Sequence, residues 1–381
     1  MKNVSKIISC YAADTSGVCS ALYELGGMVI VHDASGCNST YSTHDEPRWY
    51  DKRSMIYISA LKEMDSIMGN DEKLISDAVS AAHDQKPKFI AICGSPMPMM
   101  TGVDFDAIAE EIEHRSGIRT FAIHTNGTHS YLKGAADSLL EIVKEYVHEQ
   151  PKIKNGVNIL GAAPLDFSLN GTVEAIKDKL EKNRFEVISC LAMNSTLDEI
   201  KNAASAKANL VISYSGLSAA KYMEKRFGIP YICGLPFGKK FADEIIALLK
   251  SSDKSLYPCA ERTADKKGIY IIGEGIISGS LAKAVELETG KKARVICPLD
   301  HDKNMLADGD FDFFAEEDIE KLLSEETPKA VIADPLYKFI VPKQTEFISL
   351  PHFAFSGRCY QRSMPNLINE TEFFEFIKNI L

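Results

Sequence analysis

No run of apolar residues in this chain approaches the roughly 18 that a membrane-spanning helix needs. The first residues, MKNVSKIISCYAADTSG, also lack the apolar core of a secretory signal. The expectation is a cytoplasmic protein with no membrane partner. Basic residues do not dominate: 43 Lys and Arg stand against 53 Asp and Glu, a formal net charge of -10. Nucleic-acid binders carry a basic stripe and none is visible, so no nucleic acid is expected as a partner. There is no Gly-x-x-x-x-Gly-Lys-Ser/Thr stretch with which the chain could hydrolyse ATP itself. Low-complexity tracts and fixed-period repeats are missing too.

What is there is a rhythm. Short β-branched runs recur, among them Met28 to His32, Lys88 to Cys93, Val157 to Leu160, Asn209 to Tyr214, Gly268 to Ile272 and Ala330 to Ala333. Each is followed by a Gly, Ser or Pro turn and then a stretch of helical period. Such alternation predicts an α/β fold of parallel sheets flanked by helices on both faces. At 381 residues the chain exceeds what one core comfortably serves. The polar segments HEQPKIKNG (148 to 156) and SSDKSLYPCAERTADKKG (251 to 268) each separate a helix from a fresh strand. Three Rossmann-like domains are therefore expected, at 1–150, 151–258 and 259–381.

Nine cysteines are an odd number, and a reducing compartment disfavours disulfides. Metal binding, redox chemistry and simple burial stay open for each of them. Three in the first domain share a setting: Cys19 in SGVCSALYELGG, Cys37 in ASGCNSTYS and Cys93 in ICGSPMPMM. Each is expected where a loop meets a helix start or a strand end, the edge at which open α/β sheets bind ligands. Small neighbours such as Gly36 leave room for a bulky inorganic group. Thiolates without Cys-x-x-Cys pairs or flanking histidines suit an iron-sulfur centre better than structural zinc.

VHDASGC resembles the strand-turn-cysteine of nitrogenase component 1 proteins, in which the run is usually His-Gly-Pro-x-Gly-Cys. ALKEMDSIMGNDEKL (60 to 74) is similar to the Glu-x-Asp-x-x-x-Gly-x-x-x-Lys-Leu block that follows, and ICGSPMPMMTGVDFDAIAEEIE to the third cysteine with its Gly-Asp helix start. The resemblance extends from Cys19 to about residue 365. It implies that Cys19, Cys37 and Cys93 ligate an iron-sulfur cluster, of 4Fe-4S or 8Fe-7S type, at a subunit interface. It also implies a homodimer or a pair with a related subunit, and an ATP-dependent iron protein that delivers electrons. A second metallocofactor or a tetrapyrrole substrate is compatible with it. The function expected is the substrate-reducing component of a nitrogenase-like system; the alternative is a scaffold for metallocofactor assembly. Ser35 replaces the proline of the family turn and the chain is compact, which disfavours dinitrogen as substrate.

Other residues have both a chemical and a plain reading. Arg358 and Arg362, in FAFSGRCYQRSMPN, could clamp carboxylates of an anionic substrate or cofactor, or sit on a solvated loop. His124 and His129, in IHTNGTHSY, could move a proton, or the segment could simply cap a helix. His44, Arg48 and Trp49, the sole tryptophan, are candidates for a docking surface or a substrate wall. Cys10 is a candidate fourth thiolate, Cys190 and Cys233 read as core, and Cys297 and Cys359 stay open. Gly273-x-Gly275-x-x-Ser278 after a strand, with Asp300 further on, is a dinucleotide pattern lacking its third glycine. It keeps a NAD-dependent dehydrogenase as a third reading.

Overall fold

The computed structural model describes residues 6–7, 10, 12–34, 36, 46–251, 253–263, 265, 268–378 and 380. Its strands form three separate four-stranded sheets, each wholly parallel. The first holds β1 (Met28–His32), β2 (Met55–Ile58), β3 (Ile90–Gly94) and β4 (Thr120–Ile123). The second holds β5 (Gly156–Leu160), β6 (Glu186–Cys190), β7 (Ala208–Val211) and β8 (Tyr231–Cys233). The third holds β9 (Ile269–Ile272), β10 (Ala293–Ile296), β11 (Ala330–Ala333) and β12 (Glu346–Ser349).

The spatial orders are β2-β1-β3-β4, β6-β5-β7-β8 and β10-β9-β11-β12, one topology used three times. In each sheet the chain reverses direction between the two central strands, which opens a crevice beyond their carboxyl ends. The central strands are buried on both faces, as parallel sheets require, and read as continuous apolar runs such as MVIVH and IAICG. β2 does not fit that pattern. Its residues MIYI lie at the sheet edge, half-buried or exposed, so no long apolar run marks it in the sequence.

Helices cover the sheets and join them. Helix Asp14–Leu22 crosses helix Tyr131–Tyr146 at very close range: a methyl group on Gly17 would strike the Tyr131 carbonyl, and one on Gly134 the Asp14 carbonyl. The same long helix packs against Leu217–Phe227 of the second sheet's layer. No helix among the described residues is long and apolar enough to cross a membrane.

Candidate functional site

The crevice of the first sheet lies between the ends of β1 and β3. Beyond β1 runs the turn of Asp33, Ala34 and Gly36; Cys37 and His44, expected from the sequence as ligand and docking residue, lie outside the described residues. Cys93 is the fourth residue of β3 and is completely buried. Cys19 is not at a helix start as expected. It is the sixth residue of helix Asp14–Leu22, 2% exposed, because that whole helix is sunk into the core.

The two thiols are close enough for the charge of one to act on the other. Burial, and next the charge of Glu46, pushes the Cys19 thiol up to about 12. Burial, then Cys19 and Asp14, pushes Cys93 well above the ordinary thiol range. Both are therefore neutral thiols in the free chain, and a metal must displace their protons to bind. Asp14 fixes the neighbouring loop: its carboxylate accepts from the backbone N–H of Asn126 and of Gly127, each at 2.9 Å.

Three buried hydroxyls flank this pair without a hydrogen-bond partner among the described residues: Ser16 Oγ, Ser20 Oγ and Ser95 Oγ. Ser16 and Ser20 lie three residues before and one after Cys19 on the same helix, and Ser95 follows Cys93 by two. Orphaned buried hydroxyls are costly. Their concentration around two thiols fits a missing acceptor such as the sulfur of a cluster. No three His, Cys, Asp or Glu side chains converge to hold a single metal ion among the described residues.

Cys10 keeps part of its surface, where its Sγ lies 3.5 Å from the carbonyls of Ala12 and Ala354. Cys190, Cys233 and Cys297 are buried core residues, and Cys359 is exposed. Arg48 is no surface residue. It is 1% exposed and bonds Glu46 through Nε and Nη2 at 2.7 and 3.1 Å, the Ser20 carbonyl at 2.6 Å and the Ala192 carbonyl at 3.3 Å. It thereby joins the first sheet's layer to the second, while Trp49 beside it faces solvent.

A second crevice is formed where the switch points of the second and third sheets face each other. A small cavity of about 80 Å³ lies there. Its polar lining includes Asp166 after β5, Glu274 after β9, Asp334 after β11 and His352 after β12. Asp166 accepts from the Tyr131 hydroxyl and, at 2.7 Å, from the Ser213 hydroxyl. Asp334 accepts from the His352 backbone N–H at 2.8 Å and the Ser356 hydroxyl at 2.7 Å. Glu274 accepts from the backbone of Tyr214 at 2.9 Å and of Ile277 at 2.7 Å. Burial, and then the charge of Asp166, raises the Glu274 carboxyl to about 8. None of these four acids and bases was singled out in the sequence. Each closely follows a strand, which is the one signal that could have found them.

The remaining expected residues lie elsewhere. His124 is exposed and 3.3 Å from Asp106, and His129 binds Asp300, which also takes the Ser130 hydroxyl at 2.7 Å. Arg358 and Arg362 stand on the turn Gly357–Ser363, and neither lines the cavity. At the dinucleotide-like turn the Glu274 carboxylate caps the N-terminus of helix Gly275–Thr289. It occupies the N–H groups that a pyrophosphate would use. A methyl at Gly273 would press on Ser278 Oγ and one at Gly275 on Met305, so packing alone explains these glycines.

Comparison with known proteins supplies the wider frame. Nitrogenase iron-molybdenum cofactor biosynthesis protein NifE of Clostridium pasteurianum is 31% identical over 240 residues, which is 62% of this chain and 50% of that one. One of the subunits of light-independent protochlorophyllide reductase from Chlorokybus atmophyticus is 25% identical over 252 residues, 62% of this chain and 49% of that one. The chain thus spans about half the length of these curated relatives. Among solved structures, nitrogenase Cp1 at pH 6.5 superposes with a TM-score of 0.71 at 18% identity, covering 100% of this chain and 94% of that one. Residues 15–262, more than half of the sequence and all three of the expected ligand cysteines, match the model of one family, and the chain belongs to it: the nitrogenase component 1 type oxidoreductases.

Proposed function

We propose that this chain holds an iron-sulfur cluster on Cys19, Cys37 and Cys93 and is the substrate-reducing component of a nitrogenase-like two-component system. The observation that carries the reading is that Cys19 and Cys93 lie close enough for the charge of one to act on the other beside a switch-point crevice, with the unpartnered hydroxyls of Ser16, Ser20 and Ser95 within three residues of them in the chain. A bound cluster supplies one-electron chemistry at low potential, tuned by hydrogen bonds to its sulfurs. The thiolates would hold it, the serine hydroxyls would donate to its sulfur, and Gly36 would leave it room. Cys19 needs some uncovering to reach an external cluster, and Cys10, less buried, is the candidate fourth thiolate. His124, His129, Arg358 and Arg362 do not line the cavity and are given no step.

Three cysteines fall one short of a four-thiolate set, so a second subunit, a like copy or a related chain, would complete the site. An apolar face supports this. Helix Glu63–Met68 buries none of its residues, and Met64, Ile67, Met68, Met97, Met99 and Met100 are all exposed on it and on the adjoining helix Pro96–Thr101. Exposed apolar side chains in such number mark interaction sites. The iron protein would dock near the Cys93 loop through a polar, transient contact.

Likeness to a NifE protein favours a second reading, a scaffold on which a metallocofactor is built and handed on. The test is anaerobic isolation with iron and acid-labile sulfide analysis of the parent, Cys19→Ser, Cys37→Ser, Cys93→Ser and, as a control for burial, Cys190→Ser. Iron should fall in the first three and persist in the control. Full iron in the triple variant would end the ligand assignment. Persistence of iron in Cys19→Ser with its loss in Cys10→Ser would move the third ligand to Cys10.

A further inference from the structure

The amino ends of the second sheet, opposite the carboxyl ends that face the second crevice, form a basic pocket. Parallel strands enter a sheet at one edge, so the residues just before β5, β6 and β7 come together there. Lys154 and Arg184 stand two residues before β5 and β6, Lys207 directly before β7, and Lys250 lies in the last turn of helix Lys240–Ser251. All four line a pocket of about 370 Å³ together with Phe185, and no Asp or Glu among the described residues lines it.

Such a set is unexpected in a chain of net charge -10. Exposed guanidiniums find carboxylates elsewhere on this surface: Arg115 and Arg119 each hold two. Lys154, Arg184, Lys207 and Lys250 are exposed too, yet none of them makes an ion pair among the described residues. Two are held in place by other means. Lys207 Nζ donates to the Lys250 carbonyl at 3.0 Å, which leaves two of its three hydrogens, and the Lys250 ammonium stands 5.8 Å from the centre of the Phe185 ring.

Arg184 is present against the preference of its backbone. Helix Thr172–Lys182 closes with the Arg184 N–H on the Glu181 carbonyl at 2.8 Å and the Phe185 N–H on the Leu180 carbonyl at 3.1 Å. These are the paired bonds of a helix end at which glycine ordinarily takes the left-handed place. Arg184 takes it here, at φ +67°. A position that glycine would fill with less strain thus carries a guanidinium with no carboxylate to neutralise it.

Four like charges around one pocket repel each other, and an anion seated among them removes that repulsion. The planar fork of arginine and the free hydrogens of lysine suit phosphate oxygens. We propose that this pocket binds a small molecule carrying two or more linked phosphate groups. A single phosphate meets only part of the set. A long nucleic-acid strand would run past the pocket onto a surface whose net charge repels it. The proposal does not rest on the iron-sulfur reading.

The experiment is isothermal titration calorimetry at low ionic strength on the anaerobically purified chain, with pyrophosphate and tripolyphosphate against orthophosphate, citrate and single-stranded oligothymidylate. Pyrophosphate or tripolyphosphate should bind about tenfold or more tighter than the other three, and weaken as salt rises. Arg184→Gly, which suits the left-handed backbone and so keeps the fold, should weaken that binding about tenfold, the worth of a charge-assisted hydrogen bond. Lys154→Gln combined with Lys207→Gln should weaken it as well, whereas Lys73→Gln, on the exposed face of helix Asp71–Gln85, should leave it unchanged. Circular dichroism establishes that each variant is folded. Pyrophosphate and tripolyphosphate no tighter than orthophosphate or citrate, oligothymidylate as tight as either, or binding left intact by Arg184→Gly and by the double lysine variant would each overturn the proposal. The last outcome is also what removal of iron by pyrophosphate would give, so chelation is not mistaken for the site. None of the variants touches a cysteine, and failure here leaves the cluster reading as it stands.

Discussion

Arg48 holds Glu46 and two carbonyls inside the junction of two layers, with Glu24 a further 3.6 Å away. Removing it strands the buried Glu46 carboxylate without a cation, while Glu24 keeps Lys52. Arg48→Met is expected to cost about 3–5 kcal/mol, the usual penalty for breaking a buried pair from one side, read as a drop in urea midpoint. A midpoint unchanged from the parent would mean that Glu46 is solvated after all. Glu274 makes a different forecast. Its carboxyl, at 4.5 when unfolded, sits near 8 in the folded chain through burial. The folded state therefore keeps a proton that the unfolded chain releases. That stabilisation is complete below about pH 4.5 and fades as pH rises through about 8. Glu274→Gln should flatten this decline. Melting temperatures at pH 5, 6.5 and 8 check it, and parallel curves for parent and variant would refute it.

Among the α-helices of the described residues, Glu63–Met68 is the one that buries none of its residues. If the methionine face is the seat of a second subunit, Met64→Lys, Met68→Lys and Met100→Lys combined should shift sedimentation velocity toward monomer while melting changes little. A dimer of undiminished affinity would place the interface elsewhere. How much of this was readable beforehand differs by element for physical reasons. The central strands announce themselves because parallel strands buried on both faces need unbroken apolar runs. β2 does not, since an edge strand can carry Tyr57 toward solvent. Cys93 was legible as a strand-end thiol. The mid-helix burial of Cys19 was not, because SGVCSAL is built of small residues that suit a loop and a tightly packed helix equally. Arg48 was misread for the opposite reason: a charge in a polar stretch, STHDEPRWY, looks solvated until tertiary partners are known. The residues of the second crevice come from four separated strand ends, and only the fold brings them together.

For the whole molecule the decisive experiment is electron delivery. Mixed with a partner iron protein, MgATP and dithionite, the cluster-loaded protein should show reduction by electron paramagnetic resonance that requires both ATP and partner and slows as salt rises. Reduction at the same rate without them would remove the two-component reading and favour the scaffold. The use of one sheet topology three times also means that the chain offers three crevices of the same kind. Two of them have been joined into one apolar chamber, and the first is left with thiols and hydroxyls. The glycine crossing ties these regions together. Helix Tyr131–Tyr146 touches the Cys19 helix at Gly17 and Gly134, carries Tyr131 to Asp166 in the cavity wall, and leans on the second layer's helix. In a saturation library scored for abundance, then, Gly17 and Gly134 should tolerate no replacement, alanine included. Whatever variation the lineage of this chain has explored at its two crevices must have been made around that fixed point.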